Sequence, residues 1–267
     1  MDKEISFKTL PEFIDIVSTI PKVWKCHPNG IWYRGIENDK FSLVPGTVWR
    51  GVDFELENSM VSEFIIHYQS FFEKQIKIIS NLELYILMQH YGLPTRLLDW
   101  TMSPLVALYF ALKKKDNNDG KRVVWAMSCQ DLNNITLGKA TTIVPCSDKD
   151  CIIAKNLPSA INNNVKPEFS KYPIAFKHPL TNMRIRAQKG CFTFHGYDNR
   201  SINSYFDTMK CDYMIKIILA DNELRHEILD KLYSIGFKED DIFQDLNSLA
   251  SRIIREHEHC FIPPSNG

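Results

Sequence analysis

Three passages of this 267-residue chain gather the side chains that hold anions, carry protons or grip a ligand by hydrogen bonds. The first is Tyr33-Arg34-Gly35. Its guanidinium offers a fixed fork of donors suited to a phosphate or carboxylate, and its glycine lets a ligand or another stretch of chain approach closely. Spacing alone equally allows Arg34 to form an internal salt bridge with a carboxylate such as Asp99. The second runs from Gln89 to Thr101 and places amide, imidazole, phenol, guanidinium, carboxylate and hydroxyl groups in one helix-turn-strand passage. Such polar density between buried helices is costly unless the groups pair with one another or with a ligand, and both outcomes are open. The third runs from Arg184 to Phe194, where Gln188 precedes a strand and can turn its amide toward a ligand.

Familiar signatures are missing. There is no Gly-rich phosphate loop, no GxSxG elbow and no HExxH, and His226-Glu227 lacks the second histidine. Cys146 and Cys151 form C-x4-C without a second pair, so no zinc site is expected, and His257-Glu258-His259-Cys260 reads as a solvated tail. Acidic residues do not cluster around the three passages, which ranks a metal-dependent nuclease low.

The elements that must position these groups follow from periodicity. Thr9 to Ile20 predicts a helix with Thr9 as cap, Pro11 in the first turn and one face of Phe13, Ile16, Val17 and Ile20. Ile31 to Gly35 predicts a strand with Trp32 and Arg34 on one side, Ile31 and Tyr33 on the other. Glu55 to Ile79 shows helical spacing at Met60, Phe64, Tyr68, Phe71 and Phe72, and a further helix from Leu82 to His90 ends at Gly92. Thr95 to Thr101 is strand-like, with Thr95, Leu97, Asp99 and Thr101 on one face. Ser103 as cap and Pro104 in the first turn begin a helix that is apolar until Lys113-Lys114-Lys115, so it is core scaffold with cations at its negative end. Leu108 is expected within that core.

A polar turn at 116–121 and a strand at 123–127 follow, then an irregular stretch at 129–170 whose expected mobile tip is Asn162-Asn163-Asn164. Short strands are expected at 174–176, 191–194 and 213–219. Asp221 caps a helix to Ile235, stopped by Gly236, and a last helix spans about 240–255 with Phe243, Leu246, Leu249, Ile253 and Ile254 as its face. Strands and helices without strict βαβ alternation give an α+β fold, a mixed split β-sheet core flanked by helices, with strands 31–35 and 95–101 close in space.

Composition bounds the function. Lys plus Arg equals Asp plus Glu at 32 each, so overall charge steers the chain to neither nucleic acid nor membrane, although a local basic groove fits inside a neutral total. Seven scattered cysteines make no secretory disulfide framework, and the first residues carry no apolar leader. A cytoplasmic location without membrane association is the expectation. With 44% apolar residues and only 11 glycines, one compact domain is favoured over linked modules.

Five stretches carry a resemblance: WYRG (32–35), LVPGTVWRG (43–51), QHYGLPTRLLDWTMSPLVALYFAL (89–112), RIRAQKGCFTF (184–194) and IGFKEDDIFQDLNSLA (235–250). In order and spacing they resemble the FRG domain, a bacterial and phage family named for its aromatic-Arg-Gly motif. The resemblance implies a single domain over 1–267, with its core at about 30–255 and the helix at 9–20 packed on it. The three-motif layout is similar to that of ADP-ribosyltransferases. In those enzymes an Arg or His on a first strand holds NAD, a hydroxyl residue on a second strand shapes the nicotinamide pocket, and a carboxylate on a late strand steadies the ribosyl cation.

That likeness implies NAD as substrate, anchored by Arg34 with Tyr33 and Gly35. Thr101, with His90 or Tyr91 nearby, would line the nicotinamide pocket, and Gln188 would stand near the third position. The chain departs from the pattern there, with Gln188 and no Glu-x-Glu. Asp99 therefore joins Arg34 and Gln188 in the expected catalytic set, either as the missing carboxylate or, the favoured role, as the partner that orients Arg34. The implied activity is ADP-ribosyl transfer to an intracellular macromolecule, RNA, DNA or protein, by a toxin or phage-defence effector, for which an antitoxin or regulator protein is a candidate partner. The alternative is a non-catalytic module that recognises a nucleotide or nucleic acid and signals to a partner.

Overall fold

Seven strands form in a computed structural model that describes residues 3–71, 80–114, 120–143, 152–162, 169–178 and 183–258. They are β1 (Glu4–Phe7), β2 (Ile31–Ile36), β3 (Leu97–Thr101), β4 (Val123–Ser128), β5 (Ile174–Phe176), β6 (Gly190–Phe194) and β7 (Met214–Leu219). They lie in one mixed sheet in the order β1-β7-β4-β2-β3-β6-β5, with β1 parallel to β7 and every other neighbour antiparallel. The α+β expectation holds, and β1 is an edge strand with no clear alternation in its sequence.

The sheet divides at one place. β2 pairs with β4 from Ile31↔Ser128 to Ile36↔Val123, and β3 pairs with β6 from Leu97↔Phe194 to Thr101↔Gly190. Between β2 and β3 the register has a single pair, Tyr33↔Thr101. Beyond it the strands part.

Packing follows that division. On one face Ile31, Tyr33, Val124, Ala126, Ile215 and Ile217 sit under the helices Leu10–Trp24, Pro104–Leu112 and Arg225–Ser234. On the same face Leu97, Ile174, Phe176, Phe192 and Phe194 pack with Val61, Leu82, Tyr85, Ile86 and Met88 of the helices Phe54–His67 and Asn81–His90. These are two separate cores. On the opposite face one core, with Trp32, Leu98, Trp100, Met127 and Cys191, runs beneath both halves.

The Pro104–Leu112 helix is the scaffold expected, and Leu108 is 0% exposed. It rests directly on β2, because a Cβ at Gly35 would lie 1.8 Å from the Ala107 carbonyl oxygen. Gly35 therefore admits the close approach of another stretch of chain, one of the two roles its glycine allows, and it also lines the cleft described below. Ser103 occupies the N-cap position without a side-chain cap bond, and Thr101 Oγ1 instead accepts from the Ser103 N–H. The C-terminal carbonyls are satisfied by two buried arginines: Arg122 donates to Ala111 and Lys114, and Arg225 to Leu112 and Lys113.

Other expectations need correction. The stretch 129–170 is not irregular throughout: Ser128 caps a helix over Cys129–Leu137 that Gly138 ends at φ 67°, and short turns of helix occupy Ile152–Lys155 and Ser159–Asn162. The helix expected over 55–79 is α-helical at Phe54–His67 and buries Glu57 and Val61, while Phe71 is 83% exposed. The last helix is two, Glu239–Phe243 and Leu246–His257, broken where Gln244 takes φ 55°. The second of these buries no residue, and Leu246 is 80% exposed. Phe72, Ile79, the 116–119 part of the polar turn, Cys146, Cys151, Asn163, Asn164, His259 and Cys260 lie outside the described residues.

His195 follows β6 and is wholly buried, with neither ring nitrogen partnered among the described residues. Burial, reinforced by the Arg96 charge, pushes its pKa down to about 3 from an ordinary 6.5. The unfolded chain therefore takes up a proton that the folded one refuses, and stability should fall as pH drops from 6.5 toward 3 by up to about 1.4 kcal/mol per pH unit. Denaturant unfolding across that range should show a flatter pH dependence for His195→Gln than for the parent. Equal slopes would contradict the assignment. Separately, Leu108→Ala should cost about 2–5 kcal/mol in the same assay, from lost burial and a residual cavity.

Candidate functional site

The parting of β2 from β3 leaves Asp99 with a main-chain problem. Arg96 O accepts from His195 N, and Met102 N donates to Lys189 O, so both of these neighbours point to the β6 side. Strand alternation then turns the Asp99 carbonyl toward β2, with which β3 shares only the Tyr33↔Thr101 pair among the described residues. Arg34 Nη1 fills the gap, donating to Asp99 O at 2.5 Å. The arginine thus takes the main-chain carbonyl and not the carboxylate, which corrects the expected Arg34–Asp99 salt bridge. Burial pushes the Arg34 pKa down and the Asp99 charge pulls it back up, and the guanidinium remains charged. Among the described residues one of its five donors is in use, and the others can take an anion.

A cleft of about 240 Å³ opens at this split, between the two helix-covered cores. Tyr33, Arg34, Gly35, His90, Asp99, Thr101 and Gln188, all singled out in the sequence, line it together. Tyr91 does not. It is exposed and packs edge-on against His90 with ring centroids 5.0 Å apart. Gln89, Phe110, Arg184 and Phe192 also line the cleft, and of these Gln89 and Arg184 open two of the polar passages of the sequence while Phe110 and Phe192 carry no polar signal.

Gln89 fixes the Asp99 side chain. Its Nε2 donates to Asp99 Oδ2 at 2.8 Å, while its Oε1 accepts from Thr95 Oγ1 at 2.6 Å. Thr95 Oγ1 in turn accepts from the Leu97 N–H, so the turn before β3 sets the direction of the amide and the amide sets the carboxylate. Asp99 is exposed on its strand, not buried as a paired internal charge. Arg96, three residues earlier, is engaged elsewhere: its Nε donates to Glu57 Oε2 at 3.0 Å. Glu57 also accepts from Tyr85 Oη, whose oxygen accepts from the Arg96 N–H, and Arg96 lies over the Phe169 ring. This closed network beneath the 89–96 passage was not legible in the sequence, because its members are far apart in the chain and Glu57 sits in a helix of mixed polarity.

The remaining groups divide into committed and free. Thr101 Oγ1 donates to Gln188 O at 2.6 Å and accepts from Ser103 N, so its proton serves as a latch between β3, the Pro104–Leu112 helix and the approach to β6. Gln188 Nε2 is buried with no partner among the described residues, a donor that an acceptor atom in the cleft would satisfy. His90 is held neutral, its pKa lowered by burial and by Arg184 against the opposing pull of Asp99 and Asp245. The Tyr33 phenol is pushed well up by burial and keeps its proton. The arrangement can clamp an anion at Arg34, present a carboxylate at Asp99, and orient a polar ring or sugar at Gln188.

Among the described residues no helix is long and apolar enough to cross a membrane. The family model of the FRG domain matches residues 29–120, which include WYRG, LVPGTVWRG and the stretch through Leu112. The Arg184–Phe194 and 235–250 stretches lie outside the matched segment. No curated protein and no solved structure matches the chain.

The two carboxylates behave differently in this geometry. Asp99→Asn keeps the carbonyl that holds Arg34, so unfolding free energy should stay within about 1 kcal/mol of the parent. Glu57→Ala strands the largely buried Arg96 charge and should cost about 3–5 kcal/mol. Denaturant titration of both variants checks this. A large loss from Asp99→Asn would restore its carboxylate as the counter-charge of Arg34.

Proposed function

We propose that this chain, which carries an FRG domain over residues 29–120, binds NAD at the β2/β3 split and transfers its ADP-ribosyl group to an intracellular macromolecule. The observation that carries the reading is the meeting of Arg34, Asp99 and Gln188, drawn from three separate passages, in one cleft. Arg34 has donors left for a phosphate, and its fork is fixed by the Asp99 carbonyl. Gln188 Nε2 has the place of a group that holds a ribose or carboxamide oxygen. At about 240 Å³ the cleft is below the ~300–1,000 Å³ usual for a whole ligand, so it accommodates the nicotinamide-ribose end and leaves the rest of the dinucleotide outside.

The chemistry asked of the residues is modest. When the bond between nicotinamide and the ribose C1′ breaks, the bonding pair leaves with the ring and neutralises its positive charge. The ribose is left as an oxocarbenium-like cation, which the fixed Asp99 carboxylate stabilises across the cleft. A nucleophile of the acceptor then forms the new bond to C1′ and gives up a proton. His90, neutral and half-buried on the cleft wall, is a base for that proton. A cytoplasmic toxin or phage-defence effector, kept in check by an antitoxin or regulator protein, is the setting that suits such an activity.

A second reading, a nucleotide-recognition module without catalysis, is favoured by one feature: the third-motif position, just before β6, holds the neutral amide Gln188. Nicotinamide release separates the two. The parent protein should release nicotinamide from NAD, and Asp99→Asn should bind NAD but release almost none. Arg34→Lys keeps the charge and loses the fork, so calorimetry should show NAD binding weakened by about 1–3 kcal/mol. NAD binding without release by the parent would leave the recognition module, and unchanged affinity in Arg34→Lys would remove Arg34 from the site.

A further inference from the structure

Arg34, Gly35 and Phe110 have a second side. All three also line an open groove of about 830 Å³ that leads away from the cleft, past Lys40 and Lys113 to Phe41 and Trp49. LVPGTVWRG builds its far wall: Thr47 Oγ1 and N both donate to Thr95 O, and Leu43 is tied to Ser201 and Ile202. Those bonds hold the 43–51 passage against the turn before β3 and leave its tryptophan outside. Trp49 is 64% exposed and Phe41 50%, an unusual state for large rings that line a groove.

The charge along this groove is one-sided. Glu37 is its only lining carboxylate among the described residues, and Lys114 Nζ already holds it at 2.7 Å. Arg34, Lys40 and Lys113 are left without a carboxylate partner among the described residues. The Lys113 ammonium lies over the Phe110 and Phe243 rings, where burial, together with Arg184 and Lys114, disfavours its charge. The Arg50 guanidinium covers one face of Trp49 at 4.4 Å from the ring centroid, and a surplus of cations beside the aromatic surface still exposed in a groove continuous with Arg34 calls for a ligand with phosphates and a flat ring.

We propose that this groove is a nucleotide subsite, in which Arg34, Lys40 and Lys113 hold the phosphates and Trp49, with Phe41, stacks the base. Resting on the NAD reading above, the occupant is the ADP half of the dinucleotide, which the cleft is too small to contain. A nucleotide of an acceptor strand has the same chemistry, and the experiment distinguishes the two sources. Trp49 and Lys40 are exposed, so Trp49→Ala and Lys40→Gln should fold normally by circular dichroism.

The full chain and both variants are titrated by calorimetry with ADP and, separately, with a short oligothymidylate. ADP should bind the parent, about tenfold or more weakly to Trp49→Ala, with a loss for Lys40→Gln that grows as salt is lowered. Binding of the oligonucleotide with the same dependence on both residues, without binding of ADP, keeps the subsite and assigns it to a strand. Binding of neither, or equal affinity in parent and variants, overturns the proposal. The fate of the NAD reading is separate: ADP bound in the groove without nicotinamide release by the parent defeats the reading and not the subsite. Release that is indifferent to Trp49 and Lys40, with no ADP or oligonucleotide binding, does the reverse.

Discussion

A single strand pair, Tyr33↔Thr101, joins the two halves of the sheet, and the rest of the site is a consequence of it. Where β2 and β3 separate, a β-ladder would leave an unsatisfied main-chain carbonyl, and the Arg34 guanidinium takes the place of the missing backbone donor. The side chain that closes the gap is thereby fixed in orientation, with donors left over at the cleft wall. One interaction both completes the sheet and presents a cation. On the cleft side the helices form two cores and not one, because a continuous layer over the junction would fill the space that Asp99 and Gln188 look into.

The surrounding polar groups sort by whether the fold has already satisfied them. Glu57, Tyr85 and Arg96 satisfy one another, and Arg122 and Arg225 take the carbonyls at the end of the Pro104–Leu112 helix. Their burial is tolerable because each is paired, and they serve as rigid support. Thr101 belongs with them, its hydroxyl filled on both sides. Arg34, Asp99 and Gln188 retain unused capacity and converge on one cleft. Polar groups on a rigid frame with hydrogen bonds still to make are what a binding site needs before its ligand arrives.

Local pattern carried much of this in the sequence. Alternation located β2 and β3 with the correct faces, and the nearly all-apolar run 105–112 declared its burial, as Leu108 shows. What depended on distant partners was not legible. The helix Cys129–Leu137 reads as polar because Asn133 is buried for a reason outside it: its amide donates to Ala175 O and accepts from Ala175 N, covering the edge of β5. β1 is four residues of mixed polarity that become a strand only because β7 offers an edge. Gly35 allowed the approach of a ligand or of another stretch of chain, and residue type alone did not say that the Ala107 carbonyl is what meets it. Asp99 suggested a salt bridge to Arg34, yet the hydrogen bond is accepted by the backbone carbonyl of Asp99 while the carboxylate acts only through its charge, and a backbone role leaves no mark on residue type.

The location of the site is open to one direct measurement, amide hydrogen exchange followed by mass spectrometry with and without NAD. A dinucleotide seated at the split should protect peptides that cover residues 33–35, 89–101 and 184–190, the segments that meet at the cleft. The distant β1–β7 edge should exchange as before. Protection confined to that edge, or no change anywhere at a saturating concentration of NAD, would contradict the assignment of the Arg34–Asp99 junction as the place where this chain binds its substrate.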